Sequence, residues 1–258
     1  MISVLSDMMS YTFIVRAMIV GGLVALCSAL LGVSLVLKRY SMIGDGLSHV
    51  AFAALTIAVA MNVAPLYIST PIVTVAAIIL LRLSENSKIK GDSAIALIST
   101  VSIAIGVVVT ALTKGMNTDV YSYMFGSILA MSESDVYMSI ALSVVVIILF
   151  VFFYNKIFAV TFDESFAKAT GTKADAYNMI IAVLTAITIV VGMRIMGTML
   201  ISSLIIFPAL ISMRNFKTFK SVIICSAIVS VVCFLLGIIL SYLYSIPTGA
   251  SIVLVNTV

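Results

Sequence analysis

An aspartate and the only histidine of the chain, Asp45 and His49, stand four residues apart in the sequence GDGLSHV. On an α-helix, positions i and i+4 are one turn apart and their side chains share a face. A carboxylate and a neutral imidazole placed in this way can coordinate one transition-metal ion. A plainer interpretation is also open, in which Asp45 caps the start of a helix and His49 is a hydrogen-bonded core residue.

The hydrophobic pattern places this pair inside a membrane. The chain is 63% hydrophobic and 9% charged, and its mean hydropathy of +1.30 lies far outside the range of soluble globular domains. The 32 uncharged residues between His49 and Arg82 contain two prolines, which predicts two spans joined by a tight turn. The first span is long enough only if it begins near Ile43. It then includes Asp45 and His49, and ionisable residues within a membrane mark substrate or proton paths.

Long apolar segments recur along the whole chain and leave no room for a soluble domain. This pattern predicts an all-α polytopic membrane protein with one transmembrane domain over residues 1–258. Gly21, Ala25 and Ala29 form a small-residue stripe that would let a second helix approach the first one closely. Eight spans are expected, at about 12–37, 43–62, 66–82, 94–113, 136–154, 177–193, 197–213 and 221–244.

The basic residues divide unevenly between the two sides of these eight spans. Eleven lie on one side and three on the other, and this bias predicts that both termini are extracytoplasmic. Because the charges are scattered over short loops, no nucleic-acid surface is expected. The cytoplasmic set is Lys38, Arg39, Arg82, Lys88, Lys90, Lys156, Lys168, Lys173, Arg214, Lys217 and Lys220, and the outer set is Arg16, Lys114 and Arg194.

The longest charged cytoplasmic loop, residues 155–176, contains a short predicted helix. Asp163 can cap a helix that begins at Glu164 and ends near Thr170, and Gly171 can terminate it in a left-handed conformation. Phe166 and Ala167 would then be available to a partner. The segment 161–172 could dock a motor subunit, or it could be an ordinary interfacial helix.

Acidic residues gather in the predicted outer loop, which contains Asp119, Glu133 and Asp135. An acidic mouth would attract cations by electrostatic steering, although charges that merely solubilise a loop give the same pattern. The tail after the last span has a turn at Pro247 and Gly249, and its apolar remainder is too short to cross the membrane again.

A second polar segment, residues 194–208, precedes and enters the predicted span 197–213. Its glycine, serines and proline would permit a kinked or broken helix that lines a cavity, and a tightly packed kinked helix is the alternative. The residues of this segment are Arg194, Gly197, Ser202, Ser203 and Pro208.

Sequence motifs of common hydrolases are missing from the chain. It contains no HExxH, no GxSxG and no GxxxxGK[ST] pattern. Ser48 beside His49 is a poor catalytic dyad, since neighbours on a helix point about 100° apart. We therefore expect that this chain is not an enzyme, and that any nucleotide hydrolysis that powers it is performed by another chain.

Four motifs in order along the chain resemble the permease subunits of ABC importers for zinc, manganese and iron. Two departures are visible, at Leu210 and Ala250, where the family more often has alanine and proline. The matching positions are Gly44, Asp45, Leu47, Ser48 and His49; Asp119, Tyr123, Phe125 and Gly126; Arg194, Gly197, Leu200, Ser203, Leu204, Pro208 and Ala209; and Pro247, Gly249, Ile252, Val253 and Leu254.

This resemblance implies a type II ABC importer-like permease fold in a prokaryotic cell membrane. It further implies a homodimer surrounded by lipid, two cytoplasmic ATPases that bind ATP and dock on segment 161–172, and an extracytoplasmic metal-binding protein. No permanent cofactor is expected, only a transported divalent metal held by Asp45 and His49. The residues VAFAALTIAV after the histidine favour zinc, while manganese or iron is the alternative. A proton-coupled secondary transporter, with Asp45 and His49 as the relay, is the rival from another class.

Overall fold

The computed structural model describes residues 10–86, 91–113, 124, 126, 133–198 and 201–257. The secondary structure in these ranges is helical. The helices are α1 (Thr12–Leu37), α2 (Ile43–Ala60), α3 (Pro65–Asn86), α4 (Gly91–Leu112), α5 (Glu133–Phe152), α6 (Tyr154–Phe162), α7 (Glu164–Ala169), α8 (Ala174–Met196), α9 (Ile201–Asn215), α10 (Phe219–Tyr244) and α11 (Thr248–Thr257).

Seven of the described helices are long and apolar enough to cross a membrane. They are α1 to α5, α8 and α10, and each covers most of a predicted span. Helix α9 corresponds to the remaining predicted span but has only 15 residues. At 1.5 Å per residue it rises about 22 Å, which is shorter than the hydrocarbon core of about 30 Å.

Helices α1, α2 and α8 form the centre of the bundle and have the largest buried fractions among the long helices. Helix α1 packs against α5, α8, α9 and α10, while α2 lies between α3 and α4 and also touches α8 and α9. By contrast, α4 is largely exposed, and its outward side chains are apolar, including Leu97, Val101 and Val108. This distribution suits a bundle in apolar surroundings, where exposed large aliphatic side chains carry no hydration penalty.

The small-residue stripe of α1 is the surface on which α10 packs, as predicted. A Cβ atom on Gly21 would lie 1.9 Å from the Phe234 ring, so a larger residue there would require Phe234 to move. The Ser230 hydroxyl donates a hydrogen bond of 2.9 Å to the carbonyl of Ala25, which is fully buried. Small side chains on α1 therefore allow α10 to pack closely against it.

Two helices were not predicted. Helix α6 lies within what was expected to be a loop, and the tail that was expected to contain only a turn and an apolar remainder forms α11. Helix α11 folds back on α10, where the Ser251 hydroxyl donates a 2.7 Å hydrogen bond to the Gly237 carbonyl. Ser245, with a φ of 52°, makes the turn between the two helices. The tail is indeed too short to span, and it is stabilised by packing instead.

Candidate functional site

Asp45 and His49 lie on one face of α2, as the spacing predicts. The Nε2 atom of His49 is 3.7 Å from Oδ2 of Asp45. Helix α2 begins at Ile43 after Met42, so Asp45 lies within the first turn and is not the capping residue. The capping interpretation of Asp45 is therefore wrong.

The geometry of the pair suits shared coordination of one ion. Metal–nitrogen and metal–oxygen bonds of about 2.0–2.2 Å allow a single ion to bridge two atoms separated by 3.7 Å. The Asp45 side chain is 39% exposed, whereas that of His49 is 12% exposed. The carboxylate is thus open to an arriving cation, while the imidazole is held by the surrounding helices.

Two glycines beside Asp45 allow other helices to approach the pair. A Cβ atom on Gly44 would lie 3.5 Å from the Cδ1 atom of Ile205 and 3.8 Å from the Cβ atom of Ser202, both on α9. A Cβ atom on Gly46 would be 2.7 Å from Ile95 on α4. The structure therefore brings Ser202, one of the predicted path residues, next to the helical turn that contains Asp45.

Within the described residues, no group of three or more histidine, cysteine, aspartate or glutamate side chains is arranged to hold a metal ion. Among the described residues, Asp45 and His49 are therefore a carboxylate–imidazole pair with no third side chain of these types grouped with them. A site with few protein ligands can release an ion, whereas a closed four-ligand cage holds it tightly.

The remaining residues of the second polar segment, residues 194–208, are distributed over α8 and α9. The backbone of Arg194 belongs to α8, which continues to Met196. Gly197 was expected to begin the next span, but it ends α8 with a φ of 84°, a conformation that favours glycine. Ser203 is half-buried. Pro208 is buried inside α9, and the Ser212 hydroxyl donates a 2.7 Å hydrogen bond to its carbonyl.

The two described residues of the predicted acidic mouth, Glu133 and Asp135, differ in exposure. Asp119 lies outside the described residues. Glu133 is exposed at the start of α5 and forms an ion pair with Arg16. Asp135 is buried in the first turn of the same helix, so it cannot contribute to an exposed surface. Of the three acidic residues, only Glu133 is described at the protein surface.

The segment 161–172 contains the predicted short helix, α7. The backbone N–H of Phe166 donates a 2.8 Å hydrogen bond to Oδ1 of Asp163, which caps α7. Gly171 follows the helix with a φ of 81°. The Phe166 side chain is 65% exposed, but Ala167 is buried against Val160 and Ala174. The expectation that Ala167 is available to a partner is wrong, because this face of α7 holds the helix on the bundle.

Charged and polar side chains converge on Glu164, the first residue of α7. Its carboxylate accepts hydrogen bonds from Asn178 at 3.0 Å, from Lys168 at 3.0 Å and from Lys38 at 3.3 Å. Burial alone would raise the pKa of Glu164, but these hydrogen bonds and the charge of Lys38 outweigh it and lower the pKa to about 2. Hydrogen bonds to Asp175 and Glu164 raise the pKa of Lys168.

Sequence reasoning missed Lys38 and Asn178 as members of this cluster. They are 126 and 14 residues away from Glu164, respectively. Lys38 sits at the end of α1 and Asn178 in the second turn of α8. No local pattern joins such positions, although an asparagine in an otherwise apolar span is a usable signal for a buried polar contact.

Aromatic residues cluster on α6 and at the start of α10. The rings of Phe158, Phe162 and Phe219 contact one another, with centroids 5.0–5.7 Å apart. Phe162 and Phe219 also line an open cavity of about 330 Å³ together with Phe216. Phe158, Phe162 and Phe216 are exposed, so this end of the bundle presents apolar rings outside the spans.

These features define a class of protein: a polytopic helical membrane protein with an acid–imidazole pair inside one span. The model of the family described as "ABC 3 transport family" matches residues 10–258. The chain therefore belongs to this family and is a multi-pass permease of a prokaryotic cell membrane.

Relatives named for two different metals are similar to the chain. The manganese transport system membrane protein MntC of Halalkalibacterium halodurans is 26% identical over 250 residues, which cover 96% of this chain and 85% of that protein. The high-affinity zinc uptake system membrane protein ZnuB of Haemophilus influenzae is 29% identical over 240 residues, covering 92% and 91%.

A solved structure is similar over the whole chain. The complex titled "PsaBC from Streptococcus pneumoniae in complex with Fab" contains a chain with a TM-score of 0.89 and 27% identity. The match covers 100% of this chain and 93% of that one. The helical arrangement described above is thus one that a solved structure also has.

Proposed function

We propose that the protein is the membrane-spanning subunit of an ABC importer that moves a divalent transition-metal ion into the cytoplasm. The observation that carries this proposal is the placement of Asp45 and His49 side by side on a membrane helix, 3.7 Å apart. Ionisable side chains in a span are costly, and a carboxylate with an imidazole is a suitable ligand pair for such an ion.

Zinc is the proposed ion, and manganese or iron is the alternative. The segment VAFAALTIAV after His49 resembles zinc-uptake members of the family. Relatives named for zinc and for manganese match the chain about equally well. Because one nitrogen and one oxygen ligand suit several divalent metals, competition between metals has to identify the substrate.

The proposed assembly is a homodimer of this chain with two cytoplasmic ATPases and an extracytoplasmic metal-binding protein. The exposed Phe166 on α7 and the neighbouring rings of Phe158 and Phe162 support docking of the ATPase at this end. Aromatic side chains outside a span are well suited to anchor a protein interface. ATP binding and hydrolysis would occur on the partner, and this chain would supply the path.

The decisive experiment is uptake of radiolabelled zinc in cells that express the permease with its ATPase and binding protein. The His49→Ala variant should lose uptake, and the Met61→Ala variant, altered at the opposite exposed end of α2, should retain it. Resistance of uptake to excess manganese would support zinc. Full uptake by a well-expressed His49→Ala variant would refute the role of the pair.

Omission of the ATPase tests the rival mechanism in the same cells. An ABC permease should transport nothing without its ATPase, whereas a secondary transporter works alone. Zinc uptake that persists without the ATPase and collapses when the proton gradient is dissipated would favour a proton relay through Asp45 and His49.

A further inference from the structure

Lys38 joins three elements at the cytoplasmic end of the bundle. Its side chain is only 8% exposed, and its Nζ atom lies 3.3 Å from Oε2 of Glu164 on α7. The same ammonium donates a hydrogen bond to Oδ1 of Asn178 on α8. The end of α1 is therefore tied by a buried charge to the first residue of α7 and to the second turn of α8.

Glu164 is the shared partner in this arrangement. Its Oε2 atom also accepts a hydrogen bond from Asn178, and its Oε1 atom pairs with Lys168 at 3.0 Å. Lys168 in turn pairs with Asp175 at 2.8 Å. Both oxygens of the carboxylate are thus held, so α7 cannot shift relative to α8 without disturbing Lys38. A partly buried ion pair resists separation because the buried Lys38 charge would be poorly solvated alone.

A short, hydrogen-bonded turn leads from Lys38 to the helix that contains Asp45. The backbone N–H of Tyr40 donates to the Leu35 carbonyl at 2.8 Å, and that of Ile43 donates to the Tyr40 carbonyl at 3.0 Å. Helix α2 begins at Ile43, five residues after Lys38. The Ile43 side chain and Lys38 also line the same small cavity with Asn178. Movement of Lys38 would therefore be transmitted to the start of α2.

We propose that Lys38 is a positioning residue that transmits movement of α7 to α2, and so links ATP hydrolysis on the partner to movement of the ion at Asp45 and His49. This inference rests on the proposed function. Lys38 touches neither the ion nor the ATPase in this scheme. It acts through Glu164 on one side and through the turn at residues 38–42 on the other.

The test compares metal transport with ATP hydrolysis in liposomes that contain the permease, its ATPase and the binding protein. The Lys38→Met variant keeps the side-chain volume and loses the charge. It should still assemble and hydrolyse ATP, while zinc transported per ATP falls by about tenfold, within the usual range of coupling between distant sites. The Glu164→Gln variant should show the same loss.

Two further variants make the result specific. Lys38→Arg keeps the charge and should restore most of the transport per ATP. Lys156→Met removes another cytoplasmic lysine, exposed on α6, and should leave the ratio unchanged. A normal ratio in Lys38→Met would overturn the inference. Loss of assembly in both Lys38→Met and Lys38→Arg would also overturn it, since the role would then be structural. If the unaltered complex transports none of the metals, the proposed function itself fails.

Discussion

At the level of single residues, the structural role of Asp45 on α2 can be distinguished from its proposed functional role. Asp45 lies in the first turn of the helix, where a negative charge interacts favourably with the helix dipole. That effect is worth only about 0.3–1 kcal/mol, so a carboxylate inside a membrane needs a further explanation. Its proximity to His49 and its partial exposure provide one, because both favour capture of a cation.

Replacement of Asp45 by asparagine tests this interpretation. The side chain keeps its shape, so the variant should fold and associate with the ATPase normally, with at most about 1 kcal/mol lost from the dipole interaction. Metal uptake should fall by at least about tenfold, since the neutral amide is a poor ligand for a divalent transition metal. Uptake and co-purification measured on the same preparations check both parts. Unchanged uptake would reduce Asp45 to a helix-dipole role.

Because the pKa of Glu164 is lowered in the folded protein, the contribution of its carboxylate to stability depends on pH. The folded pKa is about 2 and the ordinary value is 4.5. A lowered pKa means that the ionised carboxylate stabilises the fold above about pH 4.5, and that this contribution is lost as the pH falls through about 2. The stabilising effect of Glu164 should therefore be complete at neutral pH.

Thermal unfolding of the purified permease in detergent measures this effect. The midpoint of Glu164→Gln should lie below that of the unaltered chain by a constant amount from about pH 8 to about pH 5, and the difference should shrink below about pH 4.5. Glu133→Gln is the matched control, because its exposed ion pair with Arg16 should contribute little. A difference that vanishes already at about pH 6 would contradict the pKa of Glu164.

Sequence alone predicted the contact within one helix, between Asp45 and His49, and missed the contacts between distant segments around Glu164. The pairing of Asp45 with His49 follows from helix geometry, because four residues make about one turn. The contact of Lys38 with Glu164 spans 126 residues, and the packing of α1 and α7 against α6 and α8 brings the two together. Asp135 illustrates the opposite error, since a carboxylate at the edge of a span looks exposed in sequence and is buried by its neighbours.

At the level of elements, α7 depends on its cap more than most helices do. It has six residues, far below the length at which an isolated helix is stable in water. Asp163 accepts the only side-chain cap hydrogen bond described at its start, from the N–H of Phe166. The exposed Phe166 is therefore oriented by that cap and by the buried Ala167.

The Asp163→Ala variant should lose about 1 kcal/mol of local helix stability. If α7 docks the ATPase, the variant should bind its partner more weakly while the bundle remains folded. Co-purification with the ATPase and the thermal midpoint of the permease measure the two effects separately. Ser165→Ala, an exposed change one residue inside α7, is the control and should bind normally. Normal binding by Asp163→Ala would show that docking does not depend on this helix.

Two glycines of α1 offer a matched test of helix contact. A Cβ atom on Gly32 would lie 2.1 Å from the backbone oxygen of Ile205, so α1 and α9 are in direct backbone contact there. A Cβ atom on Gly22 would have nothing within 4 Å. Because Gly32 has no side chain, the backbone of the short α9 can lie directly against α1 at this position.

Gly32→Ala should destabilise the protein by about 1–3 kcal/mol, because the backbone of α9 has to move. Gly22→Ala should be neutral or stabilising by up to about 1 kcal/mol, since alanine is the better helix former. Thermal unfolding of both variants in one detergent checks the contrast. Equal midpoints would show that α9 can shift away from α1 at little cost.

The elements were predicted to different extents for a physical reason. Long apolar segments, separated by charges or by prolines, are close to the length that crosses the hydrocarbon core, so the sequence alone locates α1 to α5, α8 and α10. Helices α6 and α11 have 9 and 10 residues, which is too short for that criterion. They form because tertiary packing stabilises them, as the contact of Ser251 with Gly237 shows for α11.

At the level of the whole molecule, the distribution of basic residues predicts which ends of the spans face the cytoplasm. Eleven basic residues fall on the side predicted to be cytoplasmic, and three fall on the other side. Lys217, between α9 and α10, and the exposed Met61, just after α2, then lie on opposite sides of the membrane. The proposed direction of import depends on this orientation, because the proposed ATPase would act from the cytoplasm.

Labelling of single cysteines with a membrane-impermeant maleimide tests this orientation. Replacement of Cys27, Cys225 and Cys233 by alanine provides the background, since these thiols are free. Met61→Cys should react in intact cells, whereas Lys217→Cys should react only after the membrane is permeabilised. Both positions are exposed, so a lack of reaction reports the side of the membrane and not burial. The reverse pattern would place α6 and α7 outside the cell, where no ATPase could reach them, and would remove the basis for coupling through Lys38.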